Sequence, residues 1–278
     1  MKIAIEHCTA WRTADGGGIS TQLLRLTPRD SARQRVLSWD LARTISARAM
    51  QSREQHGPVL PGHASRCTDP FGNVQHLLTV DGNEQDITLT ARGVVEINTQ
   101  AEEGDDGLNP LLFLRSTALT RADDAISDFA DNFRVENPTR DVLRALMIAI
   151  GSRLPASGGA FGGCTAAQAF AGQAGTCHDQ SHVFLACARL LGVPARCVSG
   201  YVHGGDRIAS HAWAEAFVHG RWQTFDVANR LDRATTHLKL AIGMDYLDAC
   251  PVRGARVACT REQLSGQALI EQAQRANQ

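Results

Sequence analysis

Over residues 1–98 apolar side chains fall on alternate positions in short runs: Ile3 and Ile5, then Leu37, Trp39 and Leu41, then Ile87 and Leu89. A period of two buries one face of a strand and leaves the other in water. Between the runs stand Asp69-Pro70-Phe71-Gly72-Asn73 and Asp81-Gly82-Asn83, residues whose backbone preferences suit chain reversal. The pattern predicts an all-β, sandwich-like domain over residues 1–98. Residues 44–66 interrupt it, alternating poorly and carrying Gly57-Pro58 and Pro61-Gly62, as a long irregular excursion does.

The stretch Glu102-Glu103-Gly104-Asp105-Asp106-Gly107-Leu108-Asn109-Pro110 is acidic and poor in apolar anchors, which predicts a linker over residues 99–115. Beyond it the period becomes that of helices. Ile126, Phe129, Ala130 and Phe133 share one face, as do Val142, Leu143, Leu146, Met147 and Ile150, with Thr120 and Thr139 as N-caps. A glycine-rich connector over residues 158–163 lacks the Lys-Ser/Thr ending of a phosphate loop and leads into a short helix from Thr165 to Ala171. The next helix starts at about Cys177 and stops at Leu190-Leu191-Gly192-Val193-Pro194. Strands follow over residues 196–203, 211–218 and 221–226, the last two joined by His219-Gly220 as a tight hairpin. Residues 116–278 therefore read as a second, α+β domain.

The 278 residues carry a formal net charge of −1 without a long run of one sign, so neither nucleic acid nor an anionic membrane is indicated as a partner. No export signal and no apolar stretch of spanning length stand out, and a cytoplasmic location is the default. Eight cysteines are scattered without a disulfide-like spacing. Cys8, Cys164, Cys187, Cys197, Cys250 and Cys259 are expected to be small buried side chains.

Cys177 is different. At a helix start its thiolate faces unpaired backbone N–H groups and the positive end of the helix dipole, and both lower a thiol pKa. His211 is expected to open a strand after the polar run 204–210, and Asp226 closes the hairpin's second strand, opposite roughly Ala212 or Trp213. Nucleophile, base and orienting carboxylate thus stand in chain order, the parts a thiol acyl transfer requires.

Gly175-Thr176-Cys177-His178-Asp179-Gln180-Ser181-His182, Arg189 through Tyr201, Ser210 through Glu215 and Trp222 through Asp226 resemble the core of the bacterial transglutaminase-like superfamily, whose members are often described as cysteine proteases. Leu24 through Arg29, Gln34 and the Asp69–Asn73 turn resemble its N-terminal β domain. Asp245-Tyr246-Leu247-Asp248 with Pro251-Val252-Arg253-Gly254 resembles its C-terminal signature. The resemblance implies a papain-like core, a cysteine-bearing helix packed on an antiparallel sheet, with Cys177 as nucleophile, His211 as base and Asp226 as orienting acid. Departures fall at Gln180, Cys197 and Val227, where the family commonly has an aromatic, a tyrosine and a proline.

The expected function is cysteine-dependent acyl transfer on peptide or glutamine-like amides through a thioester, with hydrolysis ahead of transamidation and no cofactor. The rivals are a noncatalytic peptide-binding module and a metal-binding protein. The latter would use His178, Asp179 and His182, whose spacing imitates a metal-binding helix without the glutamate that a zinc-protease helix carries.

Overall fold

The computed structural model describes residues 1–12, 20–47, 64–80, 84–101, 103–104, 106–158, 162–204, 207–254 and 259–269. The Asp81-Gly82-Asn83 turn, most of the 44–66 excursion and parts of the 102–110, 158–163 and 204–210 stretches lie outside them. Six strands come first: β1 (Lys2–Arg12), β2 (Ser20–Thr27), β3 (Gln34–Ala47), β4 (Ala64–Thr68), β5 (Val74–Val80) and β6 (Glu84–Ile97). Four helices follow, α1 (Asp124–Asp131), α2 (Arg140–Arg153), α3 (Ala166–Gly172) and α4 (Cys177–Leu190). Strands β7 (Ala195–Gly204), β8 (Arg207–Val218), β9 (Arg221–Phe225) and β10 (His237–Gly243) precede the short α5 (Tyr246–Ala249), β11 (Val252–Gly254) and β12 (Cys259–Leu269). The class is α+β, and among the described residues no helix is long and apolar enough to cross a membrane.

The chain divides into two compact units, residues 1–99, 202–209 and 251–278 in the first and 100–201 and 210–250 in the second. The first holds two four-stranded sheets, ordered β12-β1-β6-β3 and β11-β2-β5-β4. Ile3, Ile5, Ile87 and Leu89 are buried as their alternation requires, with Leu24, Leu26 and Leu78 of the other sheet. The Trp39 indole N–H donates to Leu26 O at 2.9 Å, tying β3 to β2. In the Asp69–Asn73 reversal one carboxylate oxygen of Asp69 accepts from Phe71 N at 2.9 Å and Asn73 N at 3.0 Å, while the other meets Arg25 at 3.0 Å.

Two assignments of chain to domain change. The C-terminal strands, expected within the 116–278 domain, complete the sheets of the first unit: Val252 pairs with Leu24 and Lys2 with Leu269. The open edges of β2 and β1 offer unpaired backbone groups, and pairing satisfies them wherever in the sequence the partner strand lies. Residues 100–115 group with the second unit rather than spacing the two. Their acids are counter-charges: Asp106 pairs with Arg196 of β7, and Glu103 lies 2.9 Å from Lys239 of β10. Glu215 joins both cations, at 2.8 Å from Arg196 and 2.5 Å from Lys239. Burial opposes its charge, yet the two cations outweigh that and hold its carboxyl well below the usual range. A buried pair that lost one partner would leave an uncompensated charge, so these acids anchor the segment.

The core of the second unit forms around α4, buried from Asp179 to Arg189. Leu143, Leu146, Met147 and Ile150 of α2 and Ile126 and Ala130 of α1 join it, the faces read from periodicity. Phe184 stacks on Phe225 at 5.1 Å, seating the helix on the sheet β10-β7-β8-β9. Thr120 does not cap α1; Asp123 does, accepting from Ile126 N at 2.9 Å. The Thr120 hydroxyl instead accepts from the buried Arg189 at 2.7 Å. Thr139 occupies the N-cap position of α2 without a side-chain cap bond.

Candidate active site

Cys177 is the first residue of α4, and the turn before it is built by reciprocal capping. The Thr176 hydroxyl accepts from Asp179 N at 3.4 Å, and the Asp179 carboxylate accepts from Thr176 N at 2.9 Å and its hydroxyl at 2.8 Å. Gly175 leaves room for that carboxylate, since a Cβ there would stand 2.8 Å from the Asp179 Cβ. Satisfying the cap with side chains fixes where the helix begins and so where the thiol stands. Cys177 is partly exposed.

His211 lies within β8, which begins at Arg207, so it does not open the strand. Hydrogen bonding carries the strand past the polar residues whose composition suggests a loop. Its partner strand returns through His219 and Gly220, both left-handed, with φ of 51° and 78°. That geometry matches the twist of a two-residue hairpin, and glycine adopts it without strain. Ala214 stands opposite Phe225, and Asp226 follows, locked by paired backbone bonds to Leu231 at 2.7 and 3.0 Å. His211 Nε2 and Asp226 Oδ2 are 2.8 Å apart. A carboxylate can only accept, so the imidazole donates.

Two more side chains meet the same carboxylate. Asn229 Nδ2 donates to Asp226 Oδ2 at 2.7 Å and Asn229 N to Oδ1 at 3.1 Å. His237 Nε2 donates to Oδ2 at 2.9 Å. Neither stands out in the sequence: Asn229 sits in a polar loop, and His237 is one polar residue at the start of an apolar strand.

These contacts set the charges. Burial pushes the Cys177 thiol up, but hydrogen bonds and positive charge from His178 and His211 outweigh it and bring the pKa down to about 6. Burial disfavours the His211 cation, but hydrogen bonds to Asp226 and Cys177 outweigh that and push it up to about 10. For Asp226 burial opposes ionisation, while His211 and His237 together hold the carboxyl far below its usual value. Between the two values Cys177 and His211 stand as thiolate and imidazolium. With Nε2 committed to Asp226, Nδ1 is the ring nitrogen left for the sulfur. The Cys177 alkylation rate is therefore expected to rise as pH passes about 6 and then level. His211→Ala is expected to move that inflection up toward about 8.5, the ordinary thiol value. Iodoacetamide kinetics across pH check this, and an unmoved inflection would leave His178 as the partner.

His178 Nδ1 lies 3.9 Å from the Cys177 sulfur and 3.2 Å from the Thr176 hydroxyl, its ring 4.0 Å from that of Tyr246. His182 is fully buried and accepts from Tyr246 N at 3.1 Å through Nε2. Burial lowers its pKa to about 4, keeping it neutral. Asp179 is spent on the cap and His182 Nε2 on the Tyr246 backbone, so two of the three residues of the metal-helix alternative are already engaged in hydrogen bonds. Among the described residues His211, Asp226 and His237 bring ligand atoms within 4.8 Å of one another. Their N···O separations of 2.8 and 2.9 Å are hydrogen-bond lengths, shorter than the roughly 3.3 Å between neighbouring ligands of tetrahedral zinc.

The other cysteines differ from expectation in part. Cys187 and Cys197 are buried, but Cys8, Cys164 and Cys250 are partly exposed. The Cys259 side chain lies outside the described residues. Burial pushes the Cys187 thiol up to about 12 and the Cys197 thiol well above its ordinary value, which leaves both unreactive. The positions that depart from the family resemblance are absorbed locally. Gln180 donates to Leu154 O at 2.6 Å, and Val227 is buried beside Gly151.

Two family models match the chain: the bacterial transglutaminase-like N-terminal region over residues 3–96 and the transglutaminase-like superfamily core over residues 127–227. An uncharacterized protein of Mycobacterium leprae is 24% identical over 264 residues, covering 91% of this chain and 92% of its own. One from Mycobacterium tuberculosis H37Rv is 26% identical over 285 residues, covering 90% and 86%. A crystal structure from Cytophaga hutchinsonii, described as a candidate cysteine protease, superposes with a TM-score of 0.77 at 20% identity, covering 97% of this chain and 91% of its own. That likeness is one of fold.

Proposed function

We propose, from the chain's membership of the transglutaminase-like superfamily with its bacterial N-terminal β domain, that it is an enzyme transferring acyl groups from peptide or glutamine-like amides through a thioester on Cys177. The observation that carries this reading is a thiol at a helix start whose pKa is brought down with the help of His211, an imidazole that a fully buried carboxylate orients. The Cys177 thiolate attacks the amide carbonyl carbon, and the electron pair of the C=O bond moves to oxygen. Backbone N–H groups left unpaired at the start of α4, that of Cys177 first, are the donors available to this oxyanion. As the carbonyl re-forms, the C–N bond breaks and the His211 imidazolium gives its proton to the departing amine. A thioester and neutral His211 remain. His211 then takes a proton from water, the hydroxide oxygen bonds the thioester carbon, and the thiolate leaves with a carboxylic acid as product. An amine in place of water would give transamidation by the same steps.

Hydrolysis is the favoured outcome. Mass spectrometry of a glutamine-containing peptide pool, incubated with and without a primary amine, separates the two: at a glutamine both release ammonia, hydrolysis leaving a carboxylic acid in its place and transamidation the amide of the added amine. No product of either kind, together with no Cys177 acylation by an activated ester, would favour a peptide-binding module instead. The metalloprotein alternative forecasts a different response to chelation, because a zinc-bound thiolate is not available as a nucleophile. Prolonged EDTA treatment is expected to leave thermal stability and Cys177 alkylation unchanged. Stoichiometric zinc whose removal abolishes turnover and frees Cys177 for alkylation, both reversed on adding it back, would overturn the cysteine mechanism.

A further inference from the structure

We infer that His237 is a positioning residue of this site: as a neutral imidazole it donates its Nε2–H to Asp226 Oδ2 and so holds the carboxylate that orients His211. The inference rests on the Cys177–His211–Asp226 reading above.

Asp226 Oδ2 accepts from three directions, His211 at 2.8 Å, His237 at 2.9 Å and Asn229 at 2.7 Å. Rotation of the carboxylate about its last torsion, which is soft in isolation, would break all three bonds at once. Two imidazoles meet one anion, and their surroundings assign them different protonation. His237 is buried, and its Nδ1 has no hydrogen-bond partner among the described residues. A cation there would bury an unsatisfied N–H, whereas the Nε2–H tautomer leaves only a bare lone pair. His211 meets Asp226 on one side and the thiol on the other, so the mobile proton belongs to it. His237 can therefore support Asp226 without competing for its charge.

The placement is built into the sheet. The His237 ring lies edge-on to Trp213, with centroids 4.9 Å apart and planes at 72°. Trp213 and the β10 backbone come this close because residue 200 is glycine. A Cβ there would stand 2.9 Å from the Trp213 ring and 2.0 Å from Leu238 O. Trp213 thus fixes the face of His237, and His237 fixes Asp226.

The test uses the full chain and p-nitrophenyl acetate, following burst acylation and then hydrolysis of the acetyl-enzyme. His237→Leu removes the donor, whereas His237→Gln keeps an amide N–H at similar reach. His237→Leu is expected to slow deacylation, which needs a correctly aimed base, by about ten- to a hundredfold, the range of one charge-assisted hydrogen bond. His237→Gln is expected to recover most of the loss. A wild-type rate in His237→Leu, or equal loss in both variants, overturns the inference. If His237→Leu does not fold, nitrogen-15 spectra of the wild-type imidazoles decide. His237 is expected to hold one proton, on Nε2, the nitrogen that faces Asp226 Oδ2. Two protons, or one on Nδ1, would overturn the inference. Cys177→Ala keeps the two levels apart: persistent acylation in that variant means the underlying reading fails, and its absence alongside a wild-type His237→Leu means only this inference does.

Discussion

Cys177→Ala is expected to yield a folded protein that no longer forms a thioester. The loss should approach the full catalytic effect, about 10⁶-fold where a triad nucleophile is removed, because no neighbouring group can take the acyl chain. Stability should change by less than about 1 kcal/mol, since a partly exposed side chain at the first helical position contributes little packing. The cap that starts α4 is made by Thr176 and Asp179 and does not use the sulfur. Mass spectrometry after an acylating probe, with a thermal melt of the same sample, checks both halves. Among the remaining thiols, Cys187 and Cys197 are silenced by burial, while Cys67 is exposed and Cys8, Cys164 and Cys250 are partly exposed. Dominant labelling of one of those four in the wild-type protein would sink the assignment of Cys177.

Asp226→Asn is expected to be the next most damaging, by about 10⁴-fold, the loss an equivalent change causes in a serine triad. The reason lies in the donors around the carboxylate. Oδ2 accepts from His211, His237 and Asn229 Nδ2, while Oδ1 accepts from Asn229 N. A carboxylate satisfies them all because both its oxygens accept. An amide has one acceptor, so its NH₂ must confront at least one N–H in a site without exposed surface. Relief comes if His211 changes tautomer, which puts its proton on the nitrogen meant for the sulfur. The clash should also cost about 1–3 kcal/mol of stability. Without the negative charge the His211 cation is less favoured, so the thiolate inflection near 6 moves upward. Iodoacetamide kinetics across pH, acetyl-enzyme turnover and a thermal melt measure the three effects. A variant with wild-type turnover and an unmoved inflection would remove Asp226 from the pair.

The features legible in the chain are those with local causes. Thr176 followed by Asp179 starts a helix, Gly192 and Pro194 stop it, and so Cys177 lies at a helix start whatever surrounds it. His219-Gly220 selects a two-residue turn, and the turn sets the register that carries Asp226 back beside the strand of His211. Alternation at Ile3 and Ile5 or Ile87 and Leu89 and the helical spacing of Leu143, Leu146 and Ile150 likewise report which face is buried. The cap of α1 is a limit of such reading: Thr120 and Asp123 are both suitable, and a distant arginine engages the first.

What the chain determined by itself was therefore the class of each unit, the start of α4, and the helix and hairpin positions from which Cys177, His211 and Asp226 could meet. Tertiary structure decided that β11 and β12 close the sheets of the first unit, that Glu103 and Asp106 answer Arg196 and Lys239, and that His237 shares the Asp226 carboxylate with His211. Helix caps and tight turns are chosen by neighbours within a few residues, so their signals are written locally. Strand edges, buried charges and carboxylates are satisfied by whichever complementary group the fold brings near, and sequence distance leaves no mark on that choice.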